Sequence, residues 1–186
     1  MSSTASAVER VLDAAERKGV ELRVRTFEQS THTAQEAAEA VGAQLGQIVK
    51  TLVFVAPAAE GPQVCLALVS GSNTVDVSRL AAVLGEPRLR RANADEVRRL
   101  TGFSIGGVPP IGHSRGLRTV MDPDLGRFES VWAAAGTPNT VFEVPPATLR
   151  SLANAVVAPL AVEGQAVTLA EGNTSGDQQA SVPSRS

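Results

Sequence analysis

Two β-rich runs constrain this chain more than any other feature. Ile48-Val49-Lys50-Thr51-Leu52-Val53-Phe54-Val55 and Val64-Cys65-Leu66-Ala67-Leu68-Val69 are separated by a stretch that carries Pro57, Gly61 and Pro62. Turn formers between two apolar runs of strand length predict a hairpin or neighbouring strands. Further short runs, Leu117 to Met121, Val131 to Ala135 and Thr140 to Val144, follow each other with no helical pattern between them. Leu22, Val24 and Thr26 alternate with Arg23, Arg25 and Phe27, the period of a half-buried strand. Strands in succession favour a mixed, largely antiparallel central β-sheet flanked by helices over a parallel doubly wound sheet. The fold class is therefore α/β of the α+β kind.

The helices announce themselves by their ends. Val8, Val11, Leu12 and Ala15 fall at helical spacing over Ala7 to Lys18, with Gly19 as a stop. Thr33 with Glu36 makes a capping box before Ala37, Ala38 and Val41, and Gly42 closes that helix. Asp76 caps a helix that ends at Gly85, and Asn93 with Glu96 opens another that ends at Gly102. Pro146 sits where a last helix starts, with Leu149, Leu152 and Val156 on one face. From Glu163 the composition turns to Gly, Ser, Gln, Asn and Thr. The expected division is thus one domain over 1–162 and a disordered tail over 163–186.

Composition removes several functions. One cysteine, Cys65, makes no internal bridge, and its apolar setting suits a small core residue. Only two histidines occur, His32 and His113, so no metal centre is expected, nor any other cofactor. No apolar run reaches the roughly 18 residues a membrane span needs, and Met1 to Ser6 lack a signal-peptide order. The expected address is cytoplasmic. A net charge of −2 opposes non-specific nucleic-acid coating. It conceals an uneven distribution: from Arg79 to Arg118 there are eight arginines against three acids. Such a sector can face a phosphate backbone, although a solvated surface has the same composition.

Two places could carry chemistry. Lys50 shares a strand face with Ile48, Leu52 and Phe54, where an ammonium is costly unless it is paired or reaches a polar cleft. A strand-end lysine reaching water gives the same pattern. The segment Gly106-Gly107-Val108-Pro109-Pro110-Ile111-Gly112 combines close backbone approach with prolines that stiffen the loop. Its amides can hold an oxyanion or a carbonyl oxygen, while a tight helix-to-strand connection reads identically. No Gly-Lys-Ser/Thr follows, so it is not a nucleotide P-loop. His113 beside it suits a polar lining residue better than a base. Ser70-Gly71-Ser72 does not form a nucleophile elbow.

In order and spacing these motifs are similar to a known family. Ile48 to Phe54, then Ser70-Gly71 with Val75-Asp76, then Thr101-Gly102-Phe103 and Gly106 to Gly112, resemble the YbaK/EbsC-type aminoacyl-tRNA deacylases. These are relatives of the editing domain of bacterial prolyl-tRNA synthetase. Gly136-Thr137-Pro138-Asn139-Thr140-Val141-Phe142-Glu143-Val144 fits the family's closing turn and strand, so the likeness covers about Val8 to Val162. The resemblance implies a cleft for the aminoacylated 3′ end of a mischarged tRNA, and hydrolysis of its ester in trans. The implied partners are aminoacyl-tRNA, above all tRNA for proline, and prolyl-tRNA synthetase. Lys50 takes the place of the family's essential lysine, and Gly106 that of the loop glycine at the substrate carbonyl. The implied substrate-binding set is Thr51, His32, Ser70, Gly107, Val108, Pro109, Pro110, His113 and Gly136.

This chemistry needs no covalent nucleophile. An aminoacyl ester is already activated, so orienting water and holding the developing oxyanion suffices. Lys50 then anchors a phosphate or the ester region electrostatically. Two departures bear on the substrate: Pro109 stands where the cysteine-specific branch often has Ser, and Glu28 to Thr33 contain no aromatic residue. Both weaken a cysteinyl substrate and leave alanyl, seryl and threonyl groups open. Two other classes remain: a non-catalytic module holding a tRNA end, nucleotide or protein, and an ordinary ester or amide hydrolase. Binding without turnover marks the first; labelling by a covalent serine or cysteine probe marks the second.

Overall fold

Ser6, Thr33, Asp76 and Asn93 each hold an extended backbone and accept a hydrogen bond from a first-turn amide. Each satisfies a donor that the helix leaves unpaired. They open α1 (Ala7–Glu16), α2 (Ala34–Val41), α3 (Val77–Leu84) and α4 (Ala94–Thr101) in the computed structural model, which describes residues 5–163. α5 (Pro146–Ala153) starts instead at a proline, whose missing amide costs nothing there. Gly42, Gly85 and Gly102 end their helices in the left-handed conformation, as expected. α1 stops two residues before Lys18. That lysine's ammonium donates to the Ser151 and Leu152 carbonyls and to Asn154 Oδ1, complementing the negative end of α5.

The strands are β1 (Val24–Thr26), β2 (Val49–Ala56), β3 (Gln63–Ser70), β4 (Arg90–Arg91), β5 (Arg118–Met121), β6 (Val131–Thr137), β7 (Thr140–Val144) and β8 (Val156–Val157). β2 and β3 form the expected antiparallel pair, with Lys50 opposite Val69 and Phe54 opposite Cys65. The full order in that sheet is β4-β2-β3-β5-β8, with β3–β5 and β5–β8 parallel. β1-β7-β6 make a second, wholly antiparallel sheet. The arrangement is mixed and largely antiparallel with flanking helices, but it divides into two sheets. Among the described residues a single bridge, from Ile48 to Trp132, joins them.

One local expectation needs correction. Val156 does not continue the apolar face of α5. Asn154 turns left-handed after Ala153, and Val156 pairs with Val120 at the sheet edge, 59% exposed. The face that carries Lys50 is divided between two clusters, with Ile48 and Lys50 both lining the same cavity. Ile48 precedes β2 and packs with Ala37, Trp132 and Val141, whereas Leu52 and Phe54 join Leu80 and Leu160 beneath α3. The opposite face of β2 sends Val53 and Val55 against Val97, Phe103 and Val108. Leu68, Phe142, Val144 and Leu149 fill the space between the two sheets. Cys65 is buried and unbridged. The expected tail, beyond Glu163, lies outside the described residues. Among those described, no helix is long and apolar enough to cross a membrane.

Candidate functional site

The two sheets separate beyond the Ile48–Trp132 bridge, and a cavity of about 250 Å³ opens where β2 parts from β6. Its floor is apolar: Ile48, Val53, Val97, Trp132 and Val141. Its rim is polar or basic, with Thr31, His32, Lys50, Thr137 and Arg91. Ile105 and Gly106 face Pro138 across the mouth. An apolar pocket with a few polar groups at its edge suits a small acyl group attached to a larger polar body.

The glycine-proline loop is held from behind. Gly107 lies so close to the β6–β7 turn that a Cβ there would stand 2.7 Å from the Thr137 backbone, so only glycine fits without moving the loop. Its amide donates to the Ser104 carbonyl at 3.0 Å, and Arg98 donates to Ser104 Oγ at 2.7 Å. Gly106 adopts φ +87°, and neither its amide nor that of Val108 finds a protein acceptor among the described residues. Such amides are available to a ligand oxygen. At the far end His113 Nε2 meets the Pro109 carbonyl at 2.9 Å, and its ring stands edge-on to Phe103 with centroids 5.3 Å apart. Arg10 of α1 covers the other side of Phe103, 4.0 Å from the ring centre, and donates to the Gly102 carbonyl.

Burial holds His113 below the ordinary histidine pKa, with the Pro109 contact opposing and Arg10 adding to the depression. The folded protein therefore binds a proton at His113 less readily than the unfolded chain. Stability should be complete above about pH 6.5 and decline as the pH falls through that value toward the lower folded pKa. Denaturant titrations between pH 7.5 and 5 should show the decline in the wild type and a flatter profile in His113→Gln. Equal slopes would refute the assignment.

Lys50 lines the cavity, and its ammonium donates to the Asn73 carbonyl. Its pKa is lowered, first by burial and then by Arg91, while Asp122 opposes both. The carbonyl it uses belongs to a fixed residue. Asn73 Nδ2 donates at 2.8 Å to both Asp122 and Asp124, and Asp122 also accepts from the Ser70 amide at 3.2 Å.

The cavity brings together Lys50, Thr51, His32, Gly106 and Val108 of the residues expected from sequence. The others stand behind it. Ser70 is 2% exposed and donates its hydroxyl to the Gly46 carbonyl. Gly107, Pro109, Pro110 and His113 are not among the lining residues and support the loop. Gly136, at φ +103°, lies where a Cβ would meet the Ala7 carbonyl at 2.7 Å, which lets β6 pass close to α1. Sequence reasoning missed Thr31, Arg91, Trp132, Thr137 and Pro138 as lining residues. Arg91 had a trace in the arginine-rich sector, and Pro138 in the Gly136-Thr137-Pro138 turn.

The arginine sector is partly neutralised. Arg79 pairs with Asp76 and Glu163, Arg90 with Glu96, and Arg118 with Glu86. Arg88, Arg91, Arg98, Arg99 and Arg115 have no carboxylate partner among the described residues, and of these Arg91 reaches the cavity. The Arg90 fork and the Asn93 amide hold Glu96 down to a pKa of about 2. Its contribution to stability is fully present above the ordinary carboxylate range and is lost progressively as the pH falls from 4.5 through about 2. A carboxyl NMR titration should place the Glu96 midpoint there and return it toward 4.5 in Arg90→Ala. An unchanged midpoint would refute the pairing.

Fold and cavity together define an α+β domain with an acyl-sized pocket walled by a glycine-proline loop. The aminoacyl-tRNA editing domain model matches residues 28–152, and the chain belongs to that family. Its activity is hydrolysis of the ester bond of aminoacyl-tRNA. It is 35% identical over 126 residues to YwhH of Bacillus subtilis, covering 68% of this chain and 78% of that protein. It is 32% identical over 129 residues to the multifunctional Ser/Thr-tRNA deacylase ProXp-y of Escherichia coli K12, covering 69% and 77%. A crystal structure of a candidate trans-editing enzyme for prolyl-tRNA synthetase superposes with TM-score 0.77 and 46% identity, over 86% of this chain and 99% of that one.

Proposed function

We propose that the chain acts in trans in the cytoplasm, removing a small wrong amino acid from tRNA for proline after prolyl-tRNA synthetase has attached it. The observation that carries this reading is the cavity itself: it is small, apolar at its floor, and edged by unpaired loop amides and a lysine. The amino acid side chain enters the pocket, and the terminal adenosine remains at the rim near Ile105 and Arg91. Water attacks the ester carbon, and the carbonyl oxygen gathers negative charge. The Gly106 amide is placed to receive that oxyanion. As the tetrahedral intermediate collapses, the bond to the ribose oxygen breaks and that oxygen takes a proton. Free amino acid and tRNA leave. Lys50 supplies positive charge at the polar end, where partial burial strengthens its pull on an ester or phosphate oxygen.

A panel of tRNAs for proline charged with Ala, Ser, Thr, Cys and Pro tests the reading. Release of at least one non-cognate amino acid, with prolyl-tRNA spared, is the expected result. A panel left intact at micromolar protein would overturn it, and tight binding of the tRNA end without release would mark a non-catalytic module.

A further inference from the structure

Thr51 combines two unsatisfied features in one place. The first lies in the main chain. Val53 accepts from the Ala92 amide on the β4 side of β2, while the Ile48 carbonyl accepts from Gly71 on the β3 side. In an antiparallel strand the amide and carbonyl of one residue point to the same side, and the side alternates. Thr51 therefore presents both groups to the β6 side, away from β3. That edge is paired only at Ile48 and again from Val53 onward, so the Thr51 amide and carbonyl have no ladder partner among the described residues. The gap opens on the cavity that Thr51 lines, with the Gly106 loop among its other walls.

The second feature is the side chain. Thr51 Oγ1 is shielded from solvent and has no hydrogen-bond partner, although the residue as a whole is only half-buried. An unpaired buried hydroxyl is unfavourable, and a ligand that pairs with it recovers the loss. A rotation about χ1 swaps this hydroxyl with the methyl on the same carbon. The apolar floor of Ile48, Val53, Val97, Trp132 and Val141 offers a substrate side chain nothing else to bond.

We propose that Thr51 is the residue that discriminates among aminoacyl groups. Its open main-chain groups align the α-amino and carbonyl ends as a neighbouring strand residue would be aligned, and its hydroxyl pairs with a hydroxyl on the β-carbon. The preferred substrates then carry serine or threonine over alanine. Cysteine is disfavoured because a thiol is a weak hydrogen-bond partner. This rests on the deacylase reading and assigns the selectivity of the same cavity.

The test uses seryl- and alanyl-adenosine with the ester replaced by a non-hydrolysable 3′-amide. The full chain should bind the seryl analogue about tenfold more tightly than the alanyl one, and Thr51→Val should bring the ratio close to one. Thr51→Ser should restore it. The Thr51 amide proton should also exchange more slowly when the seryl analogue is bound. An unchanged ratio in Thr51→Val, or a wild type with no preference, would overturn the assignment while leaving the deacylase reading intact. Failure to bind either analogue, with no release from charged tRNA, would overturn both. Thr51→Val removes only an unpaired hydroxyl, so the variant should fold at least as stably as the parent.

Discussion

Lys50→Ala should lower kcat/KM for deacylation by about a hundredfold or more while leaving the thermal midpoint nearly unchanged. Three observations support the split. The ammonium lines the cavity rather than the core, and among the described residues its only hydrogen-bond partner is the Asn73 carbonyl. Burial and Arg91 both disfavour its charged form, so removing it relieves a desolvation cost as well as losing a hydrogen bond. Its worth to folding is therefore small. Its worth to the reaction is not, because a charge in a partly dry cleft acts on developing negative charge far more strongly than one in water. Lys50→Arg tests geometry at constant charge, since a planar fork does not occupy the place of a compact ammonium. Single-turnover rates on a charged tRNA, beside circular dichroism melts, decide the matter. An alanine variant within about threefold of the parent would remove Lys50 from the mechanism.

Asp122→Ala should have the opposite profile, a large loss of stability. Asp122 is 1% exposed and its carboxylate accepts from the Ser70 and Asp124 amides and from Asn73 Nδ2. Alanine leaves the Ser70 amide buried without that acceptor and takes from Asn73 one of its two carboxylate partners. Each unsatisfied buried donor costs about 1–3 kcal/mol, so a total of about 2–4 kcal/mol is expected. In a chain of this length that corresponds to about 10 °C in thermal midpoint. Asp122→Asn keeps one acceptor oxygen and should fall between. Urea unfolding of the three proteins is the measurement, and a change under about 0.5 kcal/mol in Asp122→Ala would show that the network carries no weight. Because Asn73 positions the carbonyl under Lys50, surviving Asp122→Ala protein should also be slower in turnover.

Local chemistry made much of the fold legible. Capping residues and glycine stops are short-range devices, so α2, α3 and α4 can be read from a few adjacent residues. The β2–β3 pair is nearly as local, because its turn formers lie between the two strands. The rest depends on partners distant in sequence. Two-residue strands such as β4 and β8 have no period to detect; they exist because β2 and β5 offer them an edge. The way the two sheets meet rests on Ile48 bridging to Trp132, which no neighbouring residue announces. The site divides in the same way. Lys50 and Gly106 stood out because an ammonium in an apolar run and adjacent glycines before prolines are unusual anywhere. Arg91 did not, since its place at the cavity is set by pairing with Phe54. Ser70 and Gly136 were expected to touch substrate, yet the backbone packs against both, at Gly46 and Ala7.

The seam between the sheets has a mechanical consequence. Among the described residues one bridge joins them, so beyond it side-chain packing, not a ladder, sets how far β2 stands from β6. Leu68 of one sheet shares a core with Phe142 and Val144 of the other. Val49 and Ala133 belong to that core and to the cavity wall alike. The room left for a guest and the volume that holds the sheets together are therefore drawn from the same side chains.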